Sequence, residues 1–416
     1  MAQYYQFSLV TLAGTREDTT HGLLRPCNNM PWARLVQIPY TDKSGTQAGR
    51  LYAYKRRVPL ADDYWAAVRE SILFRRGWIL QEWLLSKRIL WYTSKGMFFE
   101  CQTDGARSEY AERVLVDNAH RSQLQLKGSF HFASSSILDV WYAAIEVYSS
   151  CHLTKPEQDR ILAVAGLAKE VSLILANKKC EVYLAGHWLR DIHQSLFWEE
   201  EHEAAPWAMK VDPAPSWSWA SVMTPVKWPA RDKDVKKAVQ LVGICHTKRD
   251  SHHQIECVVD KGWTASISGR KVEFDPTNIS ACLHVRGKLH TVHIRGYLID
   301  GSTAASLTGY ATAPNTCRWR ALCAPNRPEV VAGWVSAEGL KGNGCADVGI
   351  AVHALHVSTR YARTGVLIKH HDPVLDVLLL EEVDPHVFRR VGVGRIFDME
   401  LIRQLGAAGN RDIQLV

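Results

Sequence analysis

The segment Leu73 to Cys101, LFRRGWILQEWLLSKRILWYTSKGMFFEC, gathers the side chains of this sequence best suited to chemistry. Trp78, Gln81, Glu82 and Leu85 stand at helical offsets, so Glu82 lies on or beside an otherwise apolar face. Burying that carboxylate alone costs several kcal/mol or forces its protonation. An ion pair with Arg75, Arg76 or Arg88 is therefore expected, and a cleft of convergent polar groups around Glu82 would instead mark a catalytic carboxylate. Cys245, His246, His252, His253 and Cys257 offer thiol and imidazole donors, but at no recognised spacing, and no metal is expected. Gly392-Val393-Gly394 before Arg395 lacks the third glycine and following helix of a phosphate loop, and no G-x-S-x-G elbow is present. Trp217 and Trp219 alternate about Ser218, which places both indoles on one face of a strand, filling a domain junction or forming a stacking platform.

The elements that must hold these residues are helical from Leu60 to Trp198 and short alternating strands beyond Trp228. Pro206, Pro213, Pro215, Pro225 and Pro229 forbid a continuing helix between them, which divides the chain into 1–222 and 223–416. Ile137, Val140, Trp141, Ala144 and Tyr148 form one helical stripe. Thr154 and Glu157 make a capping-box pattern before Ile161, Leu162, Ala165 and Leu167, and a further helix from Tyr183 would align Leu184, Trp188, Ile192 and Leu196. Ile89–Tyr92 and Met97–Cys101 read as a hairpin about Thr93–Gly96. In the second half Leu283 and Val285 alternate with His284 and Arg286, and Val374–Leu380 suits a strand buried on both faces. The fold class expected is α+β, with a β-rich sandwich or barrel-like C-terminal domain.

Composition bounds the function. The 416 residues are 46% apolar and 22% charged, without the roughly 20 unbroken apolar residues of a membrane span. Met1–Val10 lacks the pattern of a secretory signal, and ten scattered cysteines read as reduced thiols, so a cytoplasmic location is expected. The net charge of +7 is spread out. Its densest runs, Lys55–Arg57 and Arg231–Lys237, are short and lack interleaved aromatics, so no specific nucleic-acid partner is expected.

Arg76-Gly77-Trp78, Gln81-Glu82, Leu85-Ser86, Arg88 and Glu100-Cys101 together resemble the "RGW..QE..LS.R" and "WEC" signature of fungal heterokaryon-incompatibility (HET) domains. Other pieces follow in the family's order: Tyr4-Tyr5 with Thr11–Ala13 and Gly22-Leu23, then Tyr148, Leu153-Thr154 and Asp159-Arg160, then Tyr183–Gly186 with Trp188, and finally Pro215–Ser221 with Trp217 and Trp219. The resemblance covers roughly residues 1 to 225, and the family's opening strand and acidic helix are missing. It implies an incomplete Toll-like α/β HET domain, with a strand edge left unpaired, and a role in vegetative incompatibility: nonself recognition through a protein partner or self-association, ending in cell death. Because some Toll-related domains cleave NAD with a glutamate, the resemblance makes Glu82 the matched acidic residue. It implies no cofactor, with NAD entering only as a substrate, and leaves open an enzyme on the same scaffold, NAD-cleaving or accessory to a biosynthetic pathway.

Overall fold

The computed structural model describes residues 2–16, 22–23, 33–55, 58–115, 126–130, 137–176, 182–201, 214–229, 235–247, 254–259, 265–267, 270–271, 275–277, 281–297, 320–337, 349–361 and 373–416. The chain is mixed α+β and forms two compact units, 1–144 and 145–416. The helix Ile137–Ser149 carries the division, ahead of the 222/223 boundary read from the prolines. Pro206 and Pro213 lie outside the described residues.

In the first unit the strands are β1 (Thr11–Gly14), β2 (Ala33–Thr41), β3 (Gln47–Lys55), β4 (Arg88–Thr93), β5 (Gly96–Cys101) and β6 (Gly105–Ser108). One sheet has the order β1-β4-β5-β6, with β1 parallel to β4 and the other neighbours antiparallel. The expected hairpin is present. Gly96 turns it at φ +113, a conformation that favours glycine, and Ile89 pairs with Glu100 and Trp91 with Phe98. Strand alternation buries these four side chains together, and the helix Ile79–Leu85 is buried through Ile79, Leu80, Trp83 and Leu84. β2 and β3 form a separate hairpin in which Val36, Ile38, Tyr40 and Leu51 share one face, each at least 44% exposed.

In the second unit the strands that matter are β7 (Gln240–Thr247), β8 (Ala281–Tyr297), β9 (Arg320–Cys323), β10 (Gly333–Ala337), β11 (Ile350–Tyr361), β12 (Pro373–Asp384), β13 (Val387–Ile396) and β14 (Asn410–Leu415). β8 pairs with β11, β11 with β12, β12 with β13, β13 with β10, β10 with β9, and β9 again with β8, all antiparallel. The six strands close a ring. Val292, Ile294, Leu322, Val335, Val352, Leu375, Val377, Leu379, Val391 and Ile396 fill its inside, joined by Leu401 and Leu405 of the helix Met399–Ala407. That helix is started by Asp398, whose carboxylate accepts the Leu401 N–H and the Arg327 guanidinium.

Alternate residues of β12, Leu378 and Leu380, face a second core, and so Val374–Leu380 is buried on both sides as its apolar run predicts. The second core unites the strands with Leu184, Leu189, Ile192, Leu196 and Trp217. Backbone bonds add to this union: the Ser216 N–H donates to the Val416 carbonyl, and the Val416 N–H to that of Phe388. Residues 182–197 and Trp217 thus belong with the β-rich part because they supply the apolar cover for the outside of its ring.

Three local expectations are corrected. The Ile137 stripe is a buried helix as expected, but no side chain caps Pro156–Asp159; its N-cap is Lys155, and a 3-10 turn at Leu162–Val164 precedes the helix Ala165–Ala176. Tyr183–Leu184 and His187–Trp188 form a tight hairpin, and only Ile192–Ser195 is α-helical. Ala185 at φ +43 and Gly186 at φ +91 make its primed turn, which overrides the four-residue apolar spacing. Trp217 and Trp219 do not alternate on a strand, since the Ser218 hydroxyl accepts the Ala220 N–H and starts a 3-10 turn at Trp219–Ser221.

Candidate functional site: a buried carboxylate and the signature residues

Glu100 ends the inward row of β5, and its carboxylate is almost wholly removed from solvent at 2% exposure. Three donors reach it from three elements: Trp83 Nε1 at 2.6 Å, Trp91 Nε1 at 2.8 Å and the Tyr64 hydroxyl at 2.9 Å. Two cations complete the environment. Lys127 lies close enough for its charge to act on Glu100, and the Arg69 guanidinium stacks 3.9 Å from the Trp83 ring centre and 4.2 Å from that of Phe74. Burial pushes the Glu100 carboxyl up, but Lys127, Arg69 and the two indole N–H groups outweigh it and hold the carboxyl below its ordinary value. Burial and the adjacent Glu100 charge push Tyr64 far upward, so it serves as a neutral donor.

Glu82 does not share this site. It sits half-buried on the helix Ile79–Leu85, where the Tyr5 hydroxyl bonds to it and Arg76 acts on it as a nearby charge. Burial raises the Glu82 carboxyl against both influences, and burial followed by the Glu82 charge pushes Tyr5 up to about 12. Arg75, Arg76 and Arg88 are exposed, Gly77 and Gln81 are buried, and Trp78 is partly buried.

The signature residues of the second unit meet one another. The Tyr148 hydroxyl donates to the Arg160 carbonyl at 2.7 Å, the Arg160 guanidinium lies 5.5 Å from the Trp219 ring centre, and the Trp219 indole donates to the Gly186 carbonyl at 3.1 Å. Ser218 donates to the Ala185 carbonyl at 2.6 Å. Asp159 is partly exposed at the end of the turn before Arg160. A Cβ on Gly186 would overlap Trp219 Nε1 and come within 2.7 Å of its Cε2, at a positive φ besides. Gly186→Ala is expected to destabilise the 145–416 unit by about 2–5 kcal/mol through overpacking and backbone strain. Chemical denaturation of the variant measures it, and a loss below about 1 kcal/mol would show that the turn rearranges freely.

Sequence reasoning missed Tyr64, Arg69 and Lys127, which stand between 27 and 36 residues from Glu100 with no periodic link to it. It also missed Asp376 of β12, which is fully buried and accepts Ser358 Oγ at 3.0 Å, Arg395 Nε at 3.0 Å and the Arg360 guanidinium. Gly392–Arg395 runs inside β13, as a strand. Cys245 and Cys257 lie on neighbouring antiparallel strands, and His252 and His253 lie outside the described residues. No helix among the described residues is long and apolar enough to cross a membrane. Comparison with protein-family models, with curated proteins and with solved structures finds no match for this chain.

Proposed function

We propose that the chain acts in fungal vegetative incompatibility, as a nonself-recognition protein whose association with a partner protein or with its own copies leads to cell death. The observation that carries this reading is the convergence of the HET-like segments. In the second unit Tyr148, Arg160, Gly186 and Trp219, separated in sequence, pack into one centre, and in the first unit the signature residue Glu100 is buried against Trp83 and Trp91 of its own segment. Such a pattern suits residues selected to hold a recognition scaffold. The exposed apolar face of the β2–β3 hairpin fits the associative mechanism, because a two-stranded hairpin is marginally stable alone and an apolar face in water favours cover.

A second reading, NAD cleavage with Glu82, draws support from the half-exposed carboxyl raised by burial. One experiment separates the two. The 416-residue chain is expressed in a fungal host, and growth arrest and cellular NAD are followed for the native chain, for Ile38→Asp/Leu51→Asp and for Glu82→Gln. Growth arrest that the hairpin variant loses and Glu82→Gln retains, at constant NAD, is the expected result. NAD depletion abolished by Glu82→Gln favours the enzyme, and absence of arrest from the native chain overturns the incompatibility reading.

A further inference from the structure

Cys101 follows Glu100 at the end of β5, where the chain turns through Gln102–Asp104 into β6. Unlike the buried Cys282 and Cys323, it is partly exposed. Its sulfur is 3.0 Å from the Thr103 hydroxyl, and the backbone N–H groups of Thr103 and Asp104 favour its charged form from the same turn. Donors converging on a sulfur stabilise its thiolate.

A second observation lies beside this turn. Lys127 is 1% exposed and its ammonium makes no hydrogen bond among the described residues, yet both Glu100 and Cys101 lie close enough to act on its charge. A buried ammonium without a bonded acceptor is poised for an anion or polar molecule arriving next to the sulfur. The remaining charges agree with that assignment. The Asp104 carboxylate, which would oppose a thiolate, is engaged by Arg107 and Arg113, and Arg107 adds its own positive charge near Cys101.

We propose that Cys101 is a modification site, a thiolate that a hydroperoxide oxidises to sulfenic acid, with the buried Lys127 ammonium, which it shares with Glu100, as the nearby positive charge. The sulfur attacks one peroxide oxygen, the O–O bond breaks, and the departing hydroxide (or alkoxide) takes a proton from solvent to leave as water (or alcohol). Sulfur is oxidised by two electrons and the peroxide is reduced by two. Burial raises the Cys101 thiol, but the bonds from Thr103 and Asp104 outweigh it and bring the thiol below its ordinary value, which agrees with the geometry. The product would carry its polar oxygen beside the same Lys127 that balances Glu100, so the modification reaches the buried network.

The test uses the full chain, hydrogen peroxide and a sulfenic-acid-trapping diketone, with the labelled cysteine located by peptide mass. Cys151, also partly exposed, is the internal control. Cys101 is expected to react about tenfold or more faster than Cys151 at pH 7, as lowered-pKa thiols do. Thr103→Val, which alters only the turn, and Lys127→Met should each slow Cys101 and move the midpoint of its alkylation rate upward in pH, with circular dichroism unchanged for Thr103→Val. Equal labelling of Cys101 and Cys151, or a Cys101 midpoint at the ordinary thiol value that Thr103→Val leaves in place, would overturn the proposal.

Discussion

Asp376→Ala is expected to destabilise the 145–416 unit by about 3–5 kcal/mol, the range for removing one partner of a buried ion pair. The reason lies in cross-strand register. Ser358 of β11 and Arg395 of β13 stand directly opposite Asp376 of β12, and Arg360 reaches the same carboxylate from β11. Arg360 and Arg395 are 3% and 8% exposed, so the variant leaves two guanidinium groups facing each other in a low-dielectric environment. Urea unfolding of native and variant chains gives the difference, and the triple variant Asp376→Leu/Arg360→Met/Arg395→Met should recover much of it. A loss below about 1 kcal/mol would mean that water enters the cluster and solvates both arginines.

The second large effect belongs to Glu100. Glu100→Gln keeps the shape of the side chain but removes the charge that Lys127 and Arg69 balance, and about 3–5 kcal/mol of the first unit's stability should go with it. Lys127→Met added to Glu100→Gln should cost less than the sum of the two single changes, because one charge no longer strands the other. A pH signature accompanies this. The folded Glu100 carboxyl lies below its ordinary value, so its stabilisation is complete above the ordinary carboxylate range and is lost as pH falls through the lower, folded value. Native protein should therefore lose more stability than Glu100→Gln on acidification, as followed by Trp83 and Trp91 fluorescence. Parallel acid profiles would show that Glu100 is protonated already at neutral pH.

In its sheet, β1 pairs only with β4 among the described residues, and Leu9 and Leu12 nearby are 78% and 55% exposed. The antiparallel β4-β5-β6 meander beside a single parallel pair makes a small mixed sheet, with β1 at its edge among the described residues.

Periodic segments were legible in the sequence because their signal is local. Ile137–Ser149 repeats its apolar residues at helical spacing, β4 and β5 flank a Gly-containing turn, and Val374–Leu380 is apolar on both alternations. The stretch from Tyr183 to Leu196 misled for the same reason. Its four-residue spacing is helical, but the apolar residues are buried by a hairpin and a short helix against the β-rich core, and burial rather than period selected them. Sequence by itself determined which segments carry apolar faces, where glycine must turn the chain and which residues resemble the HET signature. Tertiary structure alone decided which carboxylates are neutralised and by what. Glu82, with three arginines close in sequence, ends on a tyrosine hydroxyl beside one of them, whereas Glu100 draws its donors from Tyr64, Trp83 and Trp91 and its counter-charges from Arg69 and Lys127. A buried charge selects its partners by distance and desolvation in three dimensions, and neither quantity is written in the spacing of residues along a chain.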